Sequence, residues 1–338
     1  MATTHTHHAD DVATDSPVPQ RFQILALDGG GAKALFAAQV LAHLEGDLGI
    51  RIPEHFDLIT GTSAGGIIAL ALGAGLSPAE IVDHYQDLTR TVFPRSRRQI
   101  IHVPRRLVRP TYRQEPLRHS LEQVVGDRLL GDSRYRLVIP AWDPQNRCVH
   151  VFKTPHHHRL TRDWKVKMVD VALATSAAPT YLPAAKVDGS RLVDGGVWAN
   201  NPSVVGIAEA VSVLEVQLEQ VWVLNIGTTT EVAHHPSRLD QAGVLRWAPR
   251  LVDLIVTAGS RGTESLADHL VGQARYHRID APVPPGLVTL DDADPGELAG
   301  CASNISRKES PTVSAMFADH TPTPYQPMYS HRSKENHP

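Results

Sequence analysis

From Arg21 onward the chain alternates between short apolar runs and longer stretches of helical periodicity. Phe22 to Leu27 has the length of a buried strand and stops at Asp28-Gly-Gly-Gly31. Leu35, Val40, Leu41, Leu44 and Leu48 then follow an amphipathic helical pattern. A second run, Phe56 to Thr60, ends at Gly61-Thr-Ser-Ala-Gly-Gly66, and Ile67 to Leu72 reads as a helix packed on both sides. Strand, glycine turn and helix, twice in succession, predict an α/β sheet with parallel strands.

Further along, Ser77-Pro78-Ala-Glu80 has the form of a helix start, with Ser at the cap and Glu three residues later. Leu137 to Ala141 and Val149 to Phe152 read as two more strands joined by the turn Asp143-Pro-Gln-Asn146. Met168 to Ala174 looks helical, and Thr175 to Pro183 is a proline-stopped loop. Arg191-Leu-Val193 leads into Asp194-Gly-Gly196, and Val221 to Ile226 is another buried strand, closed by Gly227. Leu251 to Leu270 reads as a helix. Past about Asp280 the chain turns to Pro, Ser, Thr and His without clear period. The expected organisation is a disordered tail over 1–20, one domain over 21–290 and a loosely structured segment over 291–338.

Composition narrows the class of protein. A chain of 338 residues with 42% hydrophobic content can bury a large core. Two cysteines, Cys148 and Cys301, make neither a disulfide framework nor a Cys-rich metal site, which points to a reducing compartment. The net charge of −3 argues against a partner that is a nucleic acid polymer. The polar opening residues lack the apolar core of a secretory signal, and no apolar run is long enough to span a bilayer. A cytoplasmic protein is expected.

Three motifs carry candidate chemistry. Gly61-Thr62-Ser63-Ala64-Gly65 is a G-x-S-x-G sequence placed between a strand and a helix. Such an elbow exposes the serine hydroxyl in a strained turn and points it at backbone amides of a helix start. The pattern alone is weak; the strand–turn–helix context makes Ser63 a candidate nucleophile, against the plain alternative of an ordinary turn. The second motif, Asp28-Gly29-Gly30-Gly31-Ala32-Lys33, exposes consecutive backbone N–H groups at a helix start. One reading is a dinucleotide fingerprint, but the next strand runs into the serine elbow instead of ending in an acid. The other is an oxyanion hole built by Gly29, Gly30 and Gly31, with Lys33 adding positive charge.

The third element is a base. His234, His235, His269 and His277 all follow Asp194, as a Ser…Asp…His order requires, yet none sits in a glycine-bounded turn after an apolar strand. Asp194-Gly195-Gly196 does sit in such a turn and offers a carboxylate directly to the serine. With an ordinary pKa near 4 a carboxylate is a weak base toward a hydroxyl, so this dyad leans on desolvation and strong oxyanion stabilisation.

Taken in order and spacing, Asp28 to Lys33, Gly61 to Gly65 and Asp194 to Gly196 resemble the patatin-like phospholipases. The likeness extends through Thr175 to Pro183 and Val197-Trp-Ala-Asn-Asn-Pro202. It implies a three-layer α/β/α sandwich with a mostly parallel central sheet and a Ser63–Asp194 dyad in place of a triad. It also implies an oxyanion hole at Gly29 to Gly31, hydrolysis of membrane phospholipid esters and no cofactor. Lys33 stands where arginine is commoner, and Ala34 where glycine is usual.

A narrower resemblance rests on Val151-Phe-Lys-Thr-Pro-His-His157, which looks like the patatin effectors of cyclic-oligonucleotide anti-phage defence. In that subgroup a cyclic dinucleotide such as cyclic GMP-AMP activates lipid degradation. The resemblance implies action at the inner face of the cell membrane, with homo-oligomerisation on activation. Residues 91–114 hold no acid and carry Arg97, Arg98, Arg105 and Arg106, candidate contacts for anionic headgroups or activator phosphates. Arginine outnumbers lysine throughout the chain, so an ordinary Arg-rich surface explains them equally well. The run His156-His157-His158 reads as a solvated loop before a metal site. The alternative function is a nucleotide-sensing interaction protein that keeps the fold with negligible turnover.

Overall fold

The computed structural model describes residues 21–94, 109–231, 240–241, 243–284 and 288–330. Its centre is a mostly parallel sheet in the order β5-β6-β3-β2-β1-β7-β9. These strands are β1 (Phe22–Leu27), β2 (Leu58–Gly61), β3 (Leu137–Asp143), β5 (Ala185–Val187), β6 (Ser190–Asp194), β7 (Val221–Ile226) and β9 (Tyr276–Ile279). β4 (Cys148–Lys153) runs antiparallel to β3. β1 is parallel to both β2 and β7, with Leu27 opposite Gly61 and Ile226. The C-terminal ends of these central strands, which carry the glycine turns, therefore lie side by side at one end of the sheet. β8 (Thr230–Glu231) and β10 (Pro282–Val283) form a separate short pair.

The faces of the sheet explain the unbroken apolar runs. A parallel strand covered on both sides has no polar face. Leu25, Leu27, Ile59 and Ile139 pack on one face with the helices α1 (Leu35–Leu48), α2 (Ala64–Gly73), α3 (Pro78–Val92), α4 (Gln114–Val125) and α5 (Met168–Thr175). Ile24, Ala26, Leu58 and Val138 pack on the other with α6 (Ser203–Ser212) and α7 (Val244–Val271). This is the expected three-layer sandwich. α3 opens with the capping box read at Ser77 and Glu80, each side chain bonded to the other residue's backbone amide.

The C-terminal expectation is corrected. In place of a loosely structured segment over 291–338, residues Pro295–Phe317 form a 23-residue helix, α8, packed on α1. Asp294 caps it, accepting from the amides of Gly296 and Glu297, and Pro295 opens its first turn. Its buried stripe is Leu298, Ala302, Ser306, Ser310, Val313 and Phe317, a helical spacing interrupted by two serines. Each serine donates its hydroxyl to the carbonyl four residues back, which lets it enter the core without a lost hydrogen bond. Phe317 closes the stripe by stacking on Phe56 at 5.7 Å. The domain thus extends well past residue 290.

Candidate active site

β2 ends at Gly61, and α2 begins at Ala64, so Ser63 occupies the turn between them. Its backbone sits at φ 54° and ψ −124°, a conformation that costs a non-glycine residue of order 1–3 kcal/mol. The surroundings hold it there. Thr62 donates its amide to the Leu27 carbonyl and its hydroxyl to the Ala199 carbonyl, and the Ser63 amide donates to Thr175 Oγ1 at 3.0 Å. The flanking glycines are required by close approach: a Cβ on Gly61 would lie 2.3 Å from the Gly65 carbonyl oxygen. One on Gly65 would lie 2.4 Å from that of Leu27.

Asp194 arrives at the end of β6, four strands across the sheet order from β7. Ser63 Oγ donates to Asp194 Oδ2 at 2.7 Å, while Gly196 N–H donates to Oδ1, also at 2.7 Å. The Gly195 amide is tied to the Thr175 carbonyl, so one threonine anchors both the serine turn and the aspartate turn. Asp194 is buried, and burial pushes its carboxyl up to about 6 against the two hydrogen bonds that favour its charge. Neither described candidate histidine is near: His269 Nδ1 faces the Ser265 carbonyl, and His277 Nε2 lies 3.0 Å from Glu309. His234 and His235 lie outside the described residues.

The glycine turn after β1 packs directly on the serine, and the three-glycine expectation is corrected in one respect. Gly29 N–H donates to the Asn200 carbonyl at 2.9 Å, so it is spent on structure. Gly30 and Gly31 line the cavity beside Ser63, and their amides become the candidate oxyanion donors. Gly31 adopts φ 55°, and its carbonyl accepts from Tyr85 O–H at 2.7 Å, which pins the turn to α3. Lys33 donates its amide to the Gly30 carbonyl and does not line the cavity.

A buried ionic network, unread in the sequence, supports this turn from beneath. Asp28 accepts from Asn225 Nδ2 at 2.8 Å and from Arg278 Nη1 at 2.8 Å, and Arg278 Nη2 reaches Asp280 at 2.9 Å. Burial raises the Asp28 carboxyl to about 6, with Arg278 the main force holding it down. Removing one partner of a buried pair leaves the other charge uncompensated, at a cost of about 3–5 kcal/mol. Arg278→Met is therefore expected to lower the thermal midpoint and to lower kcat more than it raises KM. Thermal denaturation and steady-state kinetics on one preparation check this; unchanged kcat in a folded variant would make Arg278 irrelevant to the turn.

Ser63 and Asp194 open onto a cavity of about 280 Å³. Its other walls are mostly apolar, among them Ile67, Leu88, Val92, Phe93, Leu117 and Leu182. Arg97, Arg98, Arg105 and Arg106 lie outside the described residues. The flanks of that stretch pack together, Phe93 of the cavity wall lying edge-on against Tyr112 at 5.0 Å. His156 corrects the expectation of a solvated histidine run. It is buried, with Nε2 3.0 Å from Glu209 and Nδ1 2.9 Å from Thr154 Oγ1, and Lys153 joins the same carboxylate.

Residues 25–205 match the model of the family described as patatin-like phospholipase, and the chain belongs to that family. Its members are lipid acyl hydrolases. Similar proteins include the cGAMP-activated phospholipase of Vibrio cholerae serotype O1, 35% identical over 313 residues, 83% of this chain and 88% of the relative. Its counterpart in Pseudomonas aeruginosa is 37% identical over 275 residues, covering 78% of this chain and 79% of the relative. That of Escherichia coli is 39% identical over 237 residues, 66% of this chain, and the match spans 65% of the relative's length.

Proposed function

We propose that this chain is a phospholipid acyl hydrolase switched on by a cyclic dinucleotide, and that Ser63 and Asp194 perform the chemistry. The observation that carries the reading is the 2.7 Å hydrogen bond from Ser63 to a buried carboxylate at the edge of an apolar cavity. Ser63 Oγ attacks the ester carbonyl as its proton passes to Asp194, and the Gly30 and Gly31 amides receive the oxyanion. Collapse breaks the ester bond, and Asp194 returns the proton to the departing lysolipid alkoxide. Water then attacks the acyl-serine with Asp194 as base, releasing the fatty acid and restoring the hydroxyl. The chemistry calls on no metal or organic cofactor. A nucleotide sensor without turnover has no use for a serine held at φ 54° against a buried acid.

The nucleotide part rests on the relatives, which are named as cGAMP-activated phospholipases. No helix among the described residues is long and apolar enough to cross a membrane. We place the hydrolysis at the inner face of the cell membrane, with homo-oligomerisation accompanying activation. Fatty-acid release from phospholipid vesicles, with and without cyclic GMP-AMP, tests the proposal. The expected result is a low basal rate rising about a hundredfold, which needs about 2.7 kcal/mol of coupling between nucleotide and active state. No release under either condition overturns the hydrolase reading; release indifferent to nucleotide overturns the switch alone.

A further inference from the structure

We infer that the outward face of α7 (Val244–Val271) is a lipid-docking surface that delivers membrane phospholipid to the cavity. Leu251, Leu254 and Ile255 stand at helical i, i+3 and i+4 spacing and are 47%, 47% and 51% exposed. Leu266 and Leu270, three turns on, are 61% and 44% exposed. Ala258, Gly259 and Gly262, also exposed, lie between the two groups and place no bulk between them. The opposite face is occupied: Ser260, Ala267 and Val271 are buried against the fold. Singly exposed aliphatic residues need no explanation, but a run of large ones along one helix face marks an interaction surface.

The occupant is identified by where the face leads. Ile255 is at once half exposed and part of the cavity wall, and Val256 beside it also lines the cavity. Val197, on the turn after the Gly196 that holds Asp194, is 38% exposed and lines the same cavity. Ile255, Val256 and Val197 therefore join the exposed side of α7 to the cavity that holds Ser63. A second protein seated on it would plug the mouth of the cavity, whereas a bilayer pressed on it supplies what the cavity takes. An acyl chain can then move from membrane to cavity without crossing water, where exposing its methylenes is costly. An amphipathic helix lying in the interface plane binds in this way, by burying its apolar face at the headgroup boundary. The inference rests on the reading of the cavity as an acyl site.

The test uses Leu251→Asp/Leu254→Asp, two exposed positions outside the cavity wall, in the full chain with cyclic GMP-AMP present. Binding is read by co-sedimentation with phosphatidylcholine vesicles in a Ser63→Ala background, so that it does not depend on turnover. Hydrolysis is read on the same vesicles and on a soluble short-chain ester, p-nitrophenyl butyrate. The expected result is a loss of at least tenfold in vesicle binding and vesicle hydrolysis, with ester hydrolysis held within twofold. Unchanged vesicle binding overturns the inference. So does an equal loss on the soluble ester, which would make the face a support of the site. A changed oligomeric state by light scattering with vesicle binding intact would assign the face to a second copy and overturn it as well. Should wild type cleave neither substrate, the hydrolase reading fails, while co-sedimentation still decides the docking surface.

Discussion

Ser63→Ala is expected to reduce phospholipid hydrolysis by a factor of about a thousand or more while leaving the fold and its thermal midpoint close to wild type. The substitution removes one oxygen from a partly exposed turn whose backbone is fixed independently by Thr62, Thr175 and the close approach of Gly65 to Leu27. No core volume is lost. The chemical loss is large because the hydroxyl forms the covalent bond on which both half-reactions depend, and removing a nucleophile commonly costs several orders of magnitude. One stability term moves the other way. Without the Ser63 hydroxyl the buried Asp194 carboxylate keeps only the Gly196 amide, so its pKa is expected to rise further above the ordinary carboxylate range. The measurement is fatty-acid release from vesicles by wild type and variant, with circular dichroism and thermal denaturation as the control for folding. Near-wild-type turnover in a folded variant would remove Ser63 from the mechanism.

The centre of the fold was legible in the sequence because parallel strands covered on both faces leave unbroken apolar runs. β1, β2, β3 and β7 are of this kind, and glycines punctuate the ends of β1, β2 and β7. β9 was not legible. Tyr276-His-Arg-Ile279 is an edge strand whose polar side chains find distant partners, Glu309 for His277 and Asp28 for Arg278, and no local pattern announces such pairings. Missing β9 meant missing the arginine that braces the glycine turn. The helix Pro295–Phe317 escaped for a related reason, since Ser306 and Ser310 read as polar breaks in a stripe they in fact complete.

The candidate site divides in the same way. Ser63 and Asp194 stand at strand ends beside glycines, where local sequence alone nominates them, and the fold brings these two side chains together. Which glycine amides are free to bind an oxyanion was not legible, because the answer depends on Asn200. Its carbonyl takes the Gly29 amide from 171 positions away in sequence, and its side-chain amide holds the Gly29 carbonyl as well. The histidines divide in the same way. No local turn nominated any of them as a base, but the run His156-His157-His158 read as a solvated loop, whereas His156 is packed into an ion network with Glu209 and Lys153.

Asp194→Asn separates catalysis from stability more sharply than any other change at the site. An amide keeps the carboxylate's shape but accepts no proton. With Oδ1 still accepting from Gly196, its Nδ2 donates to Ser63 Oγ and reverses the hydrogen bond that now runs from serine to aspartate. Turnover is expected to fall about a thousandfold to ten-thousandfold, in line with triad members whose geometry is preserved but whose protonation chemistry is wrong. Stability is expected to hold or rise. The native carboxyl is raised to about 6 from 3.8, so between those values the folded state binds more protons than the unfolded one. Stability therefore falls as pH rises through that window, and the full cost, roughly 3 kcal/mol, is present above pH 6. Asparagine carries no such cost, so its advantage over wild type should appear at pH 7 and vanish near pH 4. Asp28, also raised to about 6, keeps part of the pH dependence in both proteins, which makes the difference between them the quantity to read. In wild type the same ionisation requires kcat/KM to fall as pH drops through about 6, because a protonated Asp194 cannot take the serine proton. A wild-type rate that is flat from pH 5 to 8, together with an Asp194→Asn variant no more stable than wild type at pH 7, would mean that the buried carboxylate is neither the base nor a charge the fold pays to hold.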